Sequence, residues 1–274
     1  MNEEQFDIIE RALREDVGHG DVTSMWALPP NIIAKGRIIT HNDGILAGID
    51  IAAQVFNRIN ALIAFTPLKL DGSAMSAGDE LATVVGPVVG VLTAERTALN
   101  FLQRMSGIAT LTRRYVDLVQ NTNAVILSTR QTAPGLRLID QQAVQIGGGG
   151  VHRQQLDDMI FIRDSHIAIA GSITAAVERV RQQETDLQVV IEVHTWAELD
   201  ESLPLEPDRI MLNQMSLQDI RDAVKWVAGR APLEVSGEIT LENVREIAET
   251  GVDYVSVSAL TQWIKPSHIS LIIQ

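Results

Sequence analysis

Three arginines in the middle of this chain could together grip a small polyanion. Arg130 and Arg163 each follow an apolar run, and Arg153 follows His152 just past the glycines 147–150 and Val151. A guanidinium is planar and permanently charged, and it binds carboxylate or phosphate through paired hydrogen bonds, so convergence of the three would suit a dicarboxylate or a polyphosphate. Four adjacent glycines leave the backbone free to turn several N–H groups toward one anion, although a flexible surface loop has the same composition.

The arginines belong to a longer pattern. Six apolar runs in the second half end on polar side chains: Val125–Ser128 at Arg130, Met159–Ile162 at Arg163, Val189–Ile191 at Glu192, Ile210–Leu212 at Asn213, Leu233–Val235 at Ser236, and Tyr254–Val257 at Ser258. Helically spaced stretches separate them, so the segment reads as repeated strand–helix units whose strand ends meet at one mouth. Strands also simply stop at polar residues on reaching water, and it is the agreement across all six that points to a site. Glu192 and Asn213 offer oxygen ligands suited to a magnesium ion that retains water, with a turn or cap role as the alternative for Asn213. Ser236-Gly237 and Ser258 stand where such barrels hold a phosphate on backbone N–H groups and a helix N-terminus, though ordinary strand–turn–helix junctions contain the same residues. His166 and His194 lie just past strand tips. His19, His41 and His268 fall in turns or near the terminus and read as structural.

Composition limits what these residues can do. The chain has 274 residues, 46% of them hydrophobic, which is enough for one barrel and a smaller domain. A formal charge of -13 disfavours nucleic acid and anionic membrane as partners. With no cysteine there is no disulfide, no thiolate nucleophile and no sulfur-ligated zinc. GxGxxG, P-loop, GxSxG and HExxH patterns are missing too, which weakens dinucleotide binding, ATP hydrolysis, serine hydrolysis and zinc proteolysis. The first residues are acidic and amphipathic where a secretion signal is basic and then apolar, so a cytoplasmic location is expected.

Two unequal parts are expected to position the site. Residues 3–15 predict a helix with Phe6, Ile9 and Leu13 on one face, and 32–91 alternate short strands with Gly and Pro signals, as in an antiparallel α+β module. Helices are predicted over 93–105 and 108–119, separated at Ser106-Gly107, and they lead into the repeated units from Ala124. The last residues, from Pro266, are expected to return to the first part.

Longer motifs carry a resemblance. Glu15–Ser24 (EDVGHGDVTS), Ala94–Thr110 (AERTALNFLQRMSGIAT), Thr129–Arg137 (TRQTAPGLR), Gly147–Arg153 and Glu249–Ser256 (ETGVDYVS) resemble the quinolinate phosphoribosyltransferases, the carboxylating nicotinate-nucleotide pyrophosphorylases. The likeness runs from the first helix to the last strand. It implies an N-terminal α/β sandwich domain, 1–106 with 265–274 returning to it, and an incomplete, open α/β barrel over 107–264. It also implies a homodimer with shared active sites. Members of the family join quinolinate to phosphoribosyl pyrophosphate with Mg2+, releasing pyrophosphate and CO2 and giving nicotinate mononucleotide for NAD synthesis. Carried over, Arg130, His152 and Arg153 bind quinolinate, with Arg96 reaching in from the partner subunit. Glu192 faces ribose and magnesium, and Ser236 and Gly237 hold the 5-phosphate.

Several positions depart from the family pattern. Gln131 stands where the family has lysine, Arg163 replaces a second lysine, Asn213 replaces aspartate, Ser258 replaces a phosphate-loop glycine, and Val151 replaces the asparagine before His-Arg. The chain has four lysines, Lys35, Lys69, Lys225 and Lys265, so neither missing amine is supplied nearby in sequence. One reading keeps the phosphoribosyl transfer, on quinolinate or a related aromatic acid, with Arg130, Arg163, Glu192 and Asn213 as its reactive centre and Gln131 and His166 beside the substrate. The other is a ligand-binding homologue without turnover. A paralog of the kind encoded beside molybdate transporters is disfavoured by the Gly-rich His-Arg segment.

Overall fold

Strand-forming apolar runs and amphipathic helices alternate through the computed structural model, which describes residues 3–29, 31–183 and 185–274. In chain order the first elements are α1 (Glu3–Val17), α2 (Val22–Ala27), β1 (Ile33–Thr40), β2 (Gly44–Ile45), α3 (Ile49–Ile59), β3 (Ala64–Pro67), β4 (Ala74–Met75), β5 (Glu80–Pro87) and α4 (Val88–Leu118). There follow β6 (Val125–Ser128), α5 (Arg137–Ile146), β7 (Gly150–Val151), β8 (Ile160–Ile162), α6 (Asp164–Ala170), α7 (Ile173–Arg181), β9 (Val189–Val193) and α8 (Trp196–Ser202). The last are β10 (Arg209–Asn213), α9 (Leu217–Val227), β11 (Leu233–Ser236), α10 (Val244–Ala248), β12 (Tyr254–Ser256), α11 (Ala259–Gln262) and β13 (Ile269–Ile273).

Two compact units interleave along the chain. One comprises residues up to Arg113, Thr132–Gly148 and Trp263–Gln274, and the other Arg114–Gln131 and Gly149–Gln262. The first is built on an antiparallel sheet, β13-β1-β5-β3, in which the C-terminal strand pairs with β1 from Thr40↔Ile269 to Gly36↔Ile273. Helix α3 buries Ile49, Ala52, Val55 and Phe56, and Phe56 lies 5.6 Å from Phe65 between ring centres. Helix α1 buries Ile8, Ile9 and Leu13, while Phe6 is half-buried under the Arg58 guanidinium, 4.1 Å from its ring centre.

Helix α4 corrects one expectation. Ser106-Gly107 does not separate two helices, because the helix runs unbroken for 31 residues. Gly107 is needed for close packing instead: a Cβ there would lie 2.4 Å from the Lys265 carbonyl oxygen, where the C-terminal segment crosses the helix. Ser106 is fully buried, accepts from the Ala47 N–H at 3.0 Å and donates to the Ala47 carbonyl. Residues 132–148, expected within the barrel, pack in this first unit, where Asp140 of α5 meets Arg104 of α4 through two hydrogen bonds of 2.7 Å.

The second unit is a seven-stranded sheet ordered β7-β6-β12-β11-β10-β9-β8, every neighbouring pair parallel. Strands β7 and β8 are consecutive along the barrel segment yet occupy opposite edges of this order, so the curled sheet is an open barrel and the loop 152–159 spans from one edge to the other. Helices between the strands begin at capping residues that accept orphan backbone N–H groups: Ser172 for α7, Thr195 for α8 and Ser216 for α9. Gly150 lies against β6, where a Cβ would meet Leu127 at 2.7 Å.

Candidate active site

Register decides which side chains share the interior. Met211 of β10 pairs with Glu192 on one side and Glu234 on the other, and Asn213 pairs with Ser236. Neighbours in register point to one face and residues two apart repeat it, so Glu192, Met211, Glu234 and Tyr254 form one layer. Asn213, Ser236 and Ser256 form the layer above. Apolar side chains close the floor, where Met159, Val190 and Met211 pack together with Phe161 against them.

Above that floor opens a cavity of about 280 Å3 whose lining includes Arg130, Gln131, His152, Arg153, Arg163, Glu192, Asn213, Ser236 and Ser256. The three arginines therefore meet, two from strand ends and Arg153 from the loop that spans the barrel opening. Partial burial, and then the positive charges of Arg130 and Arg163, pull the Arg153 guanidinium below its ordinary value. Its Nη1 donates to the Met159 carbonyl at 3.3 Å, and its guanidinium carbon lies 5.1 Å from the centre of the Phe161 ring. The Nε of Arg130 is buried with no hydrogen-bond partner among the described residues. Like charges crowded this closely repel, and a bound anion relieves them.

The same cavity also carries an acid and an amide. Asn213 Nδ2 donates to Glu192 Oε1 at 2.6 Å, and His194 Nε2 lies 3.2 Å from the same oxygen. Glu192 keeps its second oxygen and Asn213 its Oδ1 for a ligand. Among the described residues no cluster of three His, Asp or Glu side chains could hold a metal ion. A pair of oxygens suits a magnesium ion that brings phosphate oxygens and water as its other ligands, and it does not suit a caged, permanent metal.

The other expected residues are placed as follows. Ser236 lines both this cavity and a second one of about 600 Å3 that Gly237 also lines. Gly237 has φ +146, a backbone state in which a side chain is strained. Ser258 is half-buried ahead of α11, its carbonyl accepting from Gln262 N at 3.1 Å, and it is not in the 280 Å3 cavity wall. His166 is turned back on its own helix, with Nδ1 accepting from the Arg163 N–H at 3.1 Å, and it lines an adjoining cavity of about 690 Å3 that shares the three arginines. Gln131 is exposed, and its carbonyl accepts from Thr261 Oγ1 at 2.7 Å. Arg96 belongs to the first unit and is exposed on α4.

The glycine run has a steric role at two positions. A Cβ on Gly147 would come within 2.6 Å of the Ala109 carbonyl and of Thr112, and Gly150 is crowded by Leu127 as described; only Gly148 takes positive φ, at +97. Close approach of the Ala109 carbonyl explains Gly147, and the Leu127 side chain crowds Gly150.

Sequence reasoning missed the group beneath the arginines. Glu234 is fully buried and accepts from Arg209 Nη1 at 2.9 Å and from Ser256 Oγ. His152 Nε2 stands 3.4 Å from Glu234 Oε2 without meeting hydrogen-bond geometry. Burial alone pushes this carboxyl up, yet His152, Ser256 and Arg209 together hold it below the ordinary carboxylate value. The signal was available: Glu234 lies two residues before Ser236, and Arg209 four before Asn213, each on the same strand face as the tip.

Comparison with known proteins agrees with this geometry. Family models for the quinolinate phosphoribosyl transferase N-terminal and C-terminal domains match residues 21–106 and 108–272. A Mycobacterium leprae protein named nicotinate-nucleotide pyrophosphorylase [carboxylating] is 39% identical, over 97% of this chain and 95% of its own. The solved nicotinate-nucleotide pyrophosphorylase of Francisella tularensis superposes with a TM-score of 0.96 at 37% identity, covering 100% of this chain and 97% of that one. That of Ehrlichia chaffeensis gives 0.95 at 39%, covering 98% of each.

Proposed function

The chain belongs to the quinolinate phosphoribosyltransferase family, and on that premise we propose that it transfers the phosphoribosyl group of phosphoribosyl pyrophosphate to quinolinate, with decarboxylation, giving nicotinate mononucleotide, pyrophosphate and CO2. One observation carries the reading: three guanidiniums, His152, Glu192 and Asn213 line a single cavity. Both reactants are anions, so the cationic side holds the pyridine dicarboxylate while the other side meets ribose and diphosphate.

The pyridine nitrogen attacks C1 of the ribose as the bond from C1 to the pyrophosphate oxygen breaks. Arg130, Arg153 and His152 fix the two carboxylates, which aims the nitrogen lone pair; Arg163 adds positive charge beside the departing diphosphate. Glu192 faces the ring carbon that becomes electron-poor, and Asn213 holds that carboxylate in place through the 2.6 Å hydrogen bond. Glu192 and Asn213 would hold a magnesium ion, which would supply positive charge to the departing diphosphate. Ser236 and Gly237 are assigned to the 5-phosphate. Once ribosylated, the cationic ring nitrogen stabilises the electron pair left on the adjacent ring carbon when its bond to CO2 breaks, and water supplies the proton to that carbon.

The reading includes a homodimer in the cytoplasm, with the exposed Arg96 of one protomer completing the cationic side of its partner's cavity. No helix among the described residues is long and apolar enough to cross a membrane. The test is to incubate the purified protein with quinolinate, phosphoribosyl pyrophosphate and Mg2+ and follow pyrophosphate and nicotinate mononucleotide, with Gln131→Lys/Asn213→Asp in parallel. Turnover by the unaltered chain is expected. No turnover, restored in the double variant, would instead make this a binding homologue.

A further inference from the structure

We infer that Glu234 is a positioning residue that orients His152 for the acid substrate; this rests on the proposed function. A carboxylate fully removed from water is costly unless donors surround it, and here Arg209 on β10 and Ser256 on β12 donate to it while the His152 ring, after β7, stands 3.4 Å away. Arg209 is itself held, its guanidinium 4.0 Å from the centre of the Tyr254 ring. This arrangement fixes where the carboxylate oxygens lie. Arg209 occupies Oε2 at 2.9 Å, and the His152 ring stands 3.4 Å from the same oxygen.

An ionised carboxylate facing Nε2 holds a hydrogen on that nitrogen and turns Nδ1 toward the substrate, to whose carboxylate Nδ1 donates when the ring carries hydrogen on both nitrogens. Phe161 sets the ring plane, packing edge-on with 5.2 Å between centres. At 3.4 Å and without hydrogen-bond geometry, the contact to Glu234 closes into a hydrogen bond only with a small ring rotation. Glu234 thus acts through His152, without touching substrate.

The first experiment needs no substrate. Nitrogen-15 spectra of the histidine rings in the ligand-free protein, with His152 assigned by its loss in His152→Asn, should show the hydrogen on Nε2; a bare Nε2 would overturn the proposal. In Glu234→Gln the His152 ring signals should move and the Michaelis constant for quinolinate should rise about fivefold to tenfold, with kcat within about twofold, the scale of one weakened hydrogen bond to a charged group. Adding Glu234→Gln to His152→Asn should raise that constant no further, because the receiver is gone. Additive losses, or unchanged ring signals in a folded Glu234→Gln protein, would reduce Glu234 to a core residue. If the unaltered enzyme fails to turn over quinolinate, the functional reading falls, and the ring spectra still decide the role of Glu234.

Discussion

Asp140 in the first unit and Glu234 in the barrel are both fully buried carboxylates paired with an arginine, and they respond in opposite directions. Asp140 has a bidentate partner in Arg104 at 2.7 Å and the Ala133 backbone N–H, yet burial outweighs both and its carboxyl is pushed up. Glu234 has a longer bond to its arginine, but Ser256 and His152 join in and the carboxyl is held down. The number of independent donors, more than the quality of one ion pair, decides whether a buried charge is comfortable. Asp140 joins two helices; Glu234 sits beneath a cavity that must present cations.

The sharpest way to break this comparison is to remove one arginine. Arg104→Met leaves Asp140 without its charge partner and should destabilise the protein by about 3 to 5 kcal/mol, read from urea unfolding. A smaller loss would mean that Asp140 takes up a proton at little cost. Next in size, Arg153→Ala should weaken quinolinate binding by about 1.5 to 3 kcal/mol in calorimetry while leaving the unfolding midpoint nearly unchanged. Unchanged affinity would remove Arg153 from the site.

Acidity separates the two carboxylates by sign. Asp140, raised above its ordinary 3.8, contributes stability below that pH and loses it as pH climbs through the folded value. Glu234, held below its ordinary 4.5, contributes stability above that pH and loses it as pH falls through the folded value. Unfolding free energies measured against pH should therefore give difference curves of opposite slope for Asp140→Asn and Glu234→Gln. Parallel curves would erase the distinction. The smallest effect is Gln131→Lys: one exposed amine added beside the arginines should raise quinolinate affinity by about 0.2 to 1 kcal/mol, and more weakly at high salt.

Much of the fold was readable because period and position agree in the barrel. The apolar runs became strands, and tips such as Arg130, Arg163, Glu192 and Asn213 became neighbours, since parallel strands share one end. What escaped was set by contacts distant in sequence. Gly107 looks like a helix break until the Lys265 carbonyl is placed against it, and Gly147 and Gly150 look like a nest until Ala109 and Leu127 are. Attention to strand tips also hid Glu234 and Arg209, which lie one or two layers below on the same inward face. His166 points toward its own helix start because a local backbone N–H was the nearest donor.

Calorimetric titration of the ligand-free protein with quinolinate and, separately, nicotinate tests the central claim most directly. Paired guanidiniums and His152 should hold the dicarboxylate at least about tenfold more tightly than the monocarboxylate, the worth of one charge-assisted hydrogen bond. Equal affinities for the two acids would contradict a cavity built from Arg130, Arg153 and Arg163 to receive a doubly charged substrate.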